Sequence, residues 1–171
     1  MGLPRSLLLI AALCACSPSL DWRRVTPPDL GVEILFPCRP SSLTREVALQ
    51  HERMPMVMHA CSAAGSTFAL SSLQLPDVGG VTQAIDSLRD AAMRNLQARP
   101  SNAQSYDVPG MTPNPHAGRF ALNGRRPDDS VVHQHLLLFA HGARVYQASV
   151  LGDAPDDAAV SIFFSGVKVL Q

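Results

Sequence analysis

Polar and apolar positions alternate early in the chain. In "GVEILFP", Val32, Ile34 and Phe36 are set against Glu33 and Leu35, which predicts a half-buried strand ended by Pro37 and Pro40. "REVALQ" and "MPMVMHACSA" repeat the two-residue period and read as a hairpin, and "STFALSSLQL", with Phe68, Leu70 and Leu73, reads as a third strand. From Val81 the period changes. Val81, Ile85, Leu88, Ala92 and Leu96 are spaced by three and four, so they share one face of a helix. Gly79-Gly80 precede this helix and Pro100 stops it, while Asp90 and Arg94 form an i,i+4 pair with the acid leading. Residues 100–115, "PSNAQSYDVPGMTPNP", have no period, and four prolines keep them from being helical.

Strands resume at "HAGRFALNG", "VVHQHLLLFA" and "ARVYQASVLG", with Asn123-Gly124 and Gly142 supplying the permissive turns. A short helix follows. Asp153 is its expected cap, Pro155 sits near its first turn, and Asp156 and Asp157 lie at the positive end of its dipole. Ala159, Ile162 and Phe163 form its inner face, and "GVKVL" closes the chain as a strand. The expected fold class is α+β: one antiparallel sheet with a long amphipathic helix and a short C-terminal helix packed on it.

The first residues carry an address. Arg5 is the only charge before the apolar run Leu7 to Ala15, which is shorter than the about 20 apolar residues a spanning helix needs. Leu13-Cys14-Ala15-Cys16 resembles the bacterial lipobox, Leu-x-Ala/Gly-Cys, in which the cysteine thiol takes a diacylglycerol before cleavage. The resemblance implies a lipoprotein signal peptide over residues 1–15, with Cys16 carrying diacylglycerol and an N-acyl chain. An ordinary signal peptide cut near Ala15 is the alternative. Several acyl chains hold a protein firmly, since each buried CH2 contributes roughly 0.8 kcal/mol. Ser17, rather than Asp, follows Cys16; by similarity to Gram-negative lipoproteins this implies the periplasmic face of the outer membrane.

Residues 16–30 read as the lipidated N-terminus and a Pro- and Ser-containing tether, with Trp22 docked on the body, and residues 31–171 as a single globular domain. The chain has 14 basic and 14 acidic side chains, and Arg23-Arg24 and Arg125-Arg126 are too small to make a basic patch, so nucleic acid is not an expected partner. Beyond Cys16 two cysteines remain, Cys38 and Cys61. An oxidising periplasm makes a disulfide their expected state, closing a loop that stabilises by roughly 3 kcal/mol; two buried free thiols are the alternative.

"GVEILFP", the amphipathic helix, "ARVYQASVLG" and the closing "DDAAVSIFFSGVKVL" are together similar to bacterial proteins of the PsbP-like α/β/α sandwich. Its group includes small periplasmic lipoproteins and has no shared catalytic residue. The resemblance therefore implies binding or assembly rather than catalysis.

Three stretches carry candidate chemistry. Met54, Met56 and Met58 would share one strand face, where thioethers can hold copper or simply fill the core, while His59 points the other way. His133 and His135 share a face and are close enough to chelate one metal such as zinc, which wants three or four ligands. Tyr106, Met111 and Asn114 lie between prolines and suit a protein-binding loop. The chain has no Gly-x-Ser-x-Gly elbow, His-Glu-x-x-His, phosphate-binding Gly-Lys-Ser/Thr loop or Cys-x-x-Cys, so enzyme activity is not expected, although a dispersed triad leaves no such signature. The expected function is non-enzymatic binding or assembly by a membrane-anchored envelope lipoprotein that contacts an envelope protein, with no cofactor beyond the lipid; the alternative is periplasmic binding of copper or zinc.

Overall fold

The computed structural model describes residues 19–49, 52–98 and 103–170. Its strands are β1 (Arg23–Val25), β2 (Val32–Phe36), β3 (Ser41–Leu49), β4 (Glu52–Ala63), β5 (Ser66–Gln74), β6 (Gly118–Arg125), β7 (Val131–His141), β8 (Arg144–Gly152) and β9 (Lys168–Val169). The helices are α1 (Val81–Asn95) and α2 (Asp157–Ser165).

Two sheets form, both antiparallel. The larger has the order β3-β4-β5-β8-β7-β6 and the smaller β1-β2-β9. The large sheet is two three-stranded meanders joined through β5 and β8, in register from Ser66↔Gly152 to Gln74↔Arg144. Because strand side chains alternate, its two faces bury different cores. One face turns Phe68, Leu70, Leu137, Phe139, Tyr146, Ala148 and Val150 toward β2, β9 and α2, where Phe163 meets both Phe36 and Phe68 edge-on at 5.3 Å. The opposite face turns Leu73, Phe120, Leu122, Leu136, Leu138 and Val145 toward Val81, Ile85, Leu88, Ala92 and Leu96 of α1.

The expected α+β sandwich, with two helices on one antiparallel sheet, is corrected by this architecture. The fold is β-rich: strands take 47% of the described residues and helices 18%. Two short strands account for the difference. Arg23–Val25, within the stretch read as tether, pairs with β2 through Arg24↔Leu35, and β9 pairs on β2's other side through Val32↔Val169. These three strands make a second sheet, so that on one side most of the cover is sheet. Glu33 fastens it, in ion pairs with Arg24 and with Lys168 at 3.0 Å. The Lys168 and Arg24 contacts lower the Glu33 carboxyl below its ordinary range.

Local chemistry explains the element ends. Asp77 caps the turn before α1, its Oδ1 accepting from the Gly79 N–H at 2.6 Å. Asp156 caps α2 by accepting from the Ala159 N–H at 2.8 Å, whereas Asp153, the expected cap, pairs with Arg126 at 2.6 Å. On α2, Ala159, Val160, Phe163 and Phe164 are buried and Ile162 is exposed, which corrects the expected inner face. The β6–β7 turn lies at residues 126–130, with Asp129 at φ +67°, and Asn123-Gly124 remain in the strand. The pairing of Asp90 and Arg94 does not form; Asp90 lies 3.6 Å from Arg89 instead.

Cys38, just after β2, is bonded to Cys61 of β4 with their Cα atoms 6.0 Å apart. The bridge ties the small sheet to the large one. Trp22 docks edge-on to Phe68 at 6.2 Å. Among the described residues no helix is long and apolar enough to cross a membrane.

Candidate functional site

Helix α1 covers only part of its face of the large sheet. Beside it lies a groove of about 590 Å³, within the usual size of ligand sites. Its origin is a choice of small residues. On the face toward the small sheet, β5 and β8 carry Phe68, Leu70, Tyr146 and Val150; on the groove face β5 carries Thr67, Ala69 and Ser71, and β8 carries Ser149 between Gln147 and Leu151. The adjoining flank of α1 is small or polar too, with Ser87 and Ala91 one turn apart. Such side chains cannot fill the space between helix and sheet.

The groove has three chemical zones. Its polar floor holds Ser71, 2% exposed, and Ser149, 8% exposed, with Gln134 and Gln147 beside them. Apolar walls come from Leu49 and Met56 on the sheet and Leu88 and Leu96 on the helix. Two cations also line it, Arg45 from β3 and Arg94 from α1. Every acidic side chain of the protein lies in the described residues, and none forms an ion pair with either arginine. Glu46, next to Arg45 along β3, belongs to the opposite face by alternation.

The candidate residues from the sequence are scattered over other places. Met54, Met56 and Met58 do share a face, opposite Val47, Arg45 and Leu43 of β3. Met56 and Met58 line the groove, and Met54 packs on the core beneath α1. His59 points to the other face, where its Nε2 is buried with no hydrogen-bond partner among the described residues. Burial lowers its pKa, opposed by the nearby charge of Asp29.

His133 and His135 share the face that carries Leu137 and Phe139. The His133 Nδ1 is 2.7 Å from the Asn123 Oδ1. Burial lowers the pKa of His135; Asp157 acts against the shift and Arg119 and His133 add to it. Among the described residues no group of three or more His, Cys, Asp or Glu is placed to hold a metal ion.

The loop candidates are engaged with the body. Tyr106 lies under the Arg119 guanidinium, 5.3 Å from its ring centroid. The Met111 Sδ accepts from the Val108 N–H at 3.1 Å, and the Asn114 Nδ2 donates to the Thr82 Oγ1 at 2.9 Å. His116 adds a contact to Asp86 at 2.9 Å, so this loop is strapped along α1. Cys16 lies outside the described residues.

The groove is the feature that sequence reading missed. Its signal is present as a parity difference: Thr67, Ala69 and Ser71 on one side of β5 against Phe68 and Leu70 on the other. No family model matches the chain and no curated protein is similar to it.

Proposed function

We propose that this chain is a lipid-anchored binding protein of the bacterial envelope, non-enzymatic, whose ligand occupies the groove between α1 and the large sheet. The groove itself carries this reading: a cavity of about 590 Å³ with a polar floor, apolar walls and two arginines free of ion pairs among the described residues. Sites of this make-up, apolar with a few placed polar groups, are where small molecules bind. The anchor and the periplasmic location rest on Leu13-Cys14-Ala15-Cys16 and on the apolar run before it. The Cys38–Cys61 bridge is consistent with an oxidising compartment.

Two experiments test the reading. An uncharged environment-sensitive dye, Nile red, should brighten on the full-length protein and lose that signal when Ala91→Trp blocks the groove. Equal brightening with both proteins refutes the site. Radiolabelled palmitate should enter the native chain and not Cys16→Ala; label persisting in the variant refutes the anchor.

A further inference from the structure

Granting the groove as the binding site, we infer that its ligand is an anionic amphiphile: one acidic head, an apolar chain, and a hydrogen-bonding group such as an amide where the two join. Charge complementarity is the first argument. Arg45 lines the groove from the sheet and Arg94 from the helix, two cations against one lining acid, Asp90, which lies 3.6 Å from Arg89. A ligand carboxylate or phosphate would meet guanidinium groups whose donors are uncommitted to any acid of the chain, and such charge-assisted bonds are about twice as strong as neutral ones.

The floor supplies the second argument. Ser71 and Ser149 are buried, and they place hydroxyls on the groove floor between β5 and β8. A purely aliphatic ligand laid on them would seal these hydroxyls and the neighbouring Gln134 and Gln147 amides from water while offering them no hydrogen-bond partner, at a cost per group. An amide N–H can donate to a serine hydroxyl or to the Gln134 and Gln147 side-chain oxygens, and an amide carbonyl can accept from the serine hydroxyls or the glutamine NH2 groups. The apolar wall of Leu49, Met56, Leu88 and Leu96 then takes the chain. Methionine there adapts to chains of differing shape.

The test is calorimetric titration of the full-length protein with three soluble probes: N-octanoylglycine, its methyl ester, and N-acetylglycine. The acid should bind roughly tenfold or more tighter than the ester, and N-acetylglycine, lacking the chain, should show no heat. Arg45→Gln with Arg94→Gln should remove the preference for the acid, bringing its affinity to that of the ester; a preference that persists in the double variant overturns the assignment. If acid and ester bind equally, the anionic class is wrong, while Nile red binding would still uphold the groove. If an acidic peptide outcompetes N-octanoylglycine, the occupant is a polypeptide and the amphiphile assignment falls. If no probe binds although Nile red does, the assignment also falls; loss of Nile red binding as well would remove the groove reading itself.

Discussion

Gly124 of β6 lies against the carbonyl oxygen of Leu96 at the end of α1. A Cβ built on Gly124 would stand 2.1 Å from that oxygen, and the neighbouring Arg125 N–H donates to the same oxygen at 2.9 Å. The clash is with backbone, so no side chain can yield. Gly124→Ala should therefore push the helix end off the sheet and cost about 1–3 kcal/mol, as overpacking does. Urea unfolding of both proteins measures this; an unchanged midpoint would mean the helix end is free to move.

Ser149 and Ala148 are neighbours on β8 that face opposite ways. Ser149 lines the groove, and Ala148 is fully buried in the core against the small sheet. Leucine at the two positions should have effects of opposite sign. Ser149→Leu adds hydrocarbon to open space and should raise stability or leave it unchanged, at roughly 0.8 kcal/mol per CH2 newly buried, while abolishing Nile red binding. Ala148→Leu should destabilise by about 1–3 kcal/mol. Denaturant midpoints of the two variants decide it.

Reduction of the Cys38–Cys61 bridge frees a loop with a sequence separation of 23. The unfolded chain gains entropy, and roughly 3 kcal/mol of stability should be lost. Comparing Cys38→Ala/Cys61→Ala with the native protein in urea gives the figure without reductant.

Acid should weaken the fold in two stages. Burial lowers the pKa of His59 and of His135 below their ordinary value of 6.5. The unfolded chain then binds more protons than the native one as pH falls through about 6.5, so stability is full above that value and declines below it. His59→Leu should flatten the slope between pH 7 and 5. Glu33, lowered chiefly by Lys168 and also by Arg24, adds a second decline below its ordinary 4.5, which Glu33→Gln should remove. A stability profile unaltered by His59→Leu above pH 5 would assign the first decline elsewhere.

The Tyr146 hydroxyl donates to the Leu30 carbonyl at 2.7 Å inside the core, and its ring stacks on Phe139. Tyr146→Phe keeps the stack and strands the carbonyl, so about 1–3 kcal/mol should be lost. Thermal melts report it, and a change below that range would place water at the Leu30 carbonyl.

Strong periodicity was the most legible part of the chain. Val81, Ile85, Leu88, Ala92 and Leu96 are all buried as their spacing predicts, and β3 pairs with β4 and β7 with β8 as the alternation predicts. The second sheet was hidden because β1 is three residues long, too short for a period of two to register, and because the strand expected at "GVKVL" carries no sign that it pairs with β2 apart from the large sheet. Asn123-Gly124 predicts a turn because Asn-Gly favours turns; the actual need for Gly124, room for the end of α1, depends on Leu96, far away in sequence. The groove escaped for the same reason. An alternation of large with small residues says which side is packed only after both faces have been assigned to their cores. Nothing in residues 100–115 tells that Asn114 would be spent on Thr82.

The junction of β5 with β8 has a consequence for how the protein is made. The middle of the large sheet joins residues 66–74 to residues 144–152, so neither meander gains its central neighbour until nearly the whole polypeptide is available. Such distant pairings close slowly, over milliseconds to seconds rather than microseconds. A nascent chain ending before Arg144 would hold two separate hairpin units with bare strand edges, the condition in which partly folded proteins associate with one another.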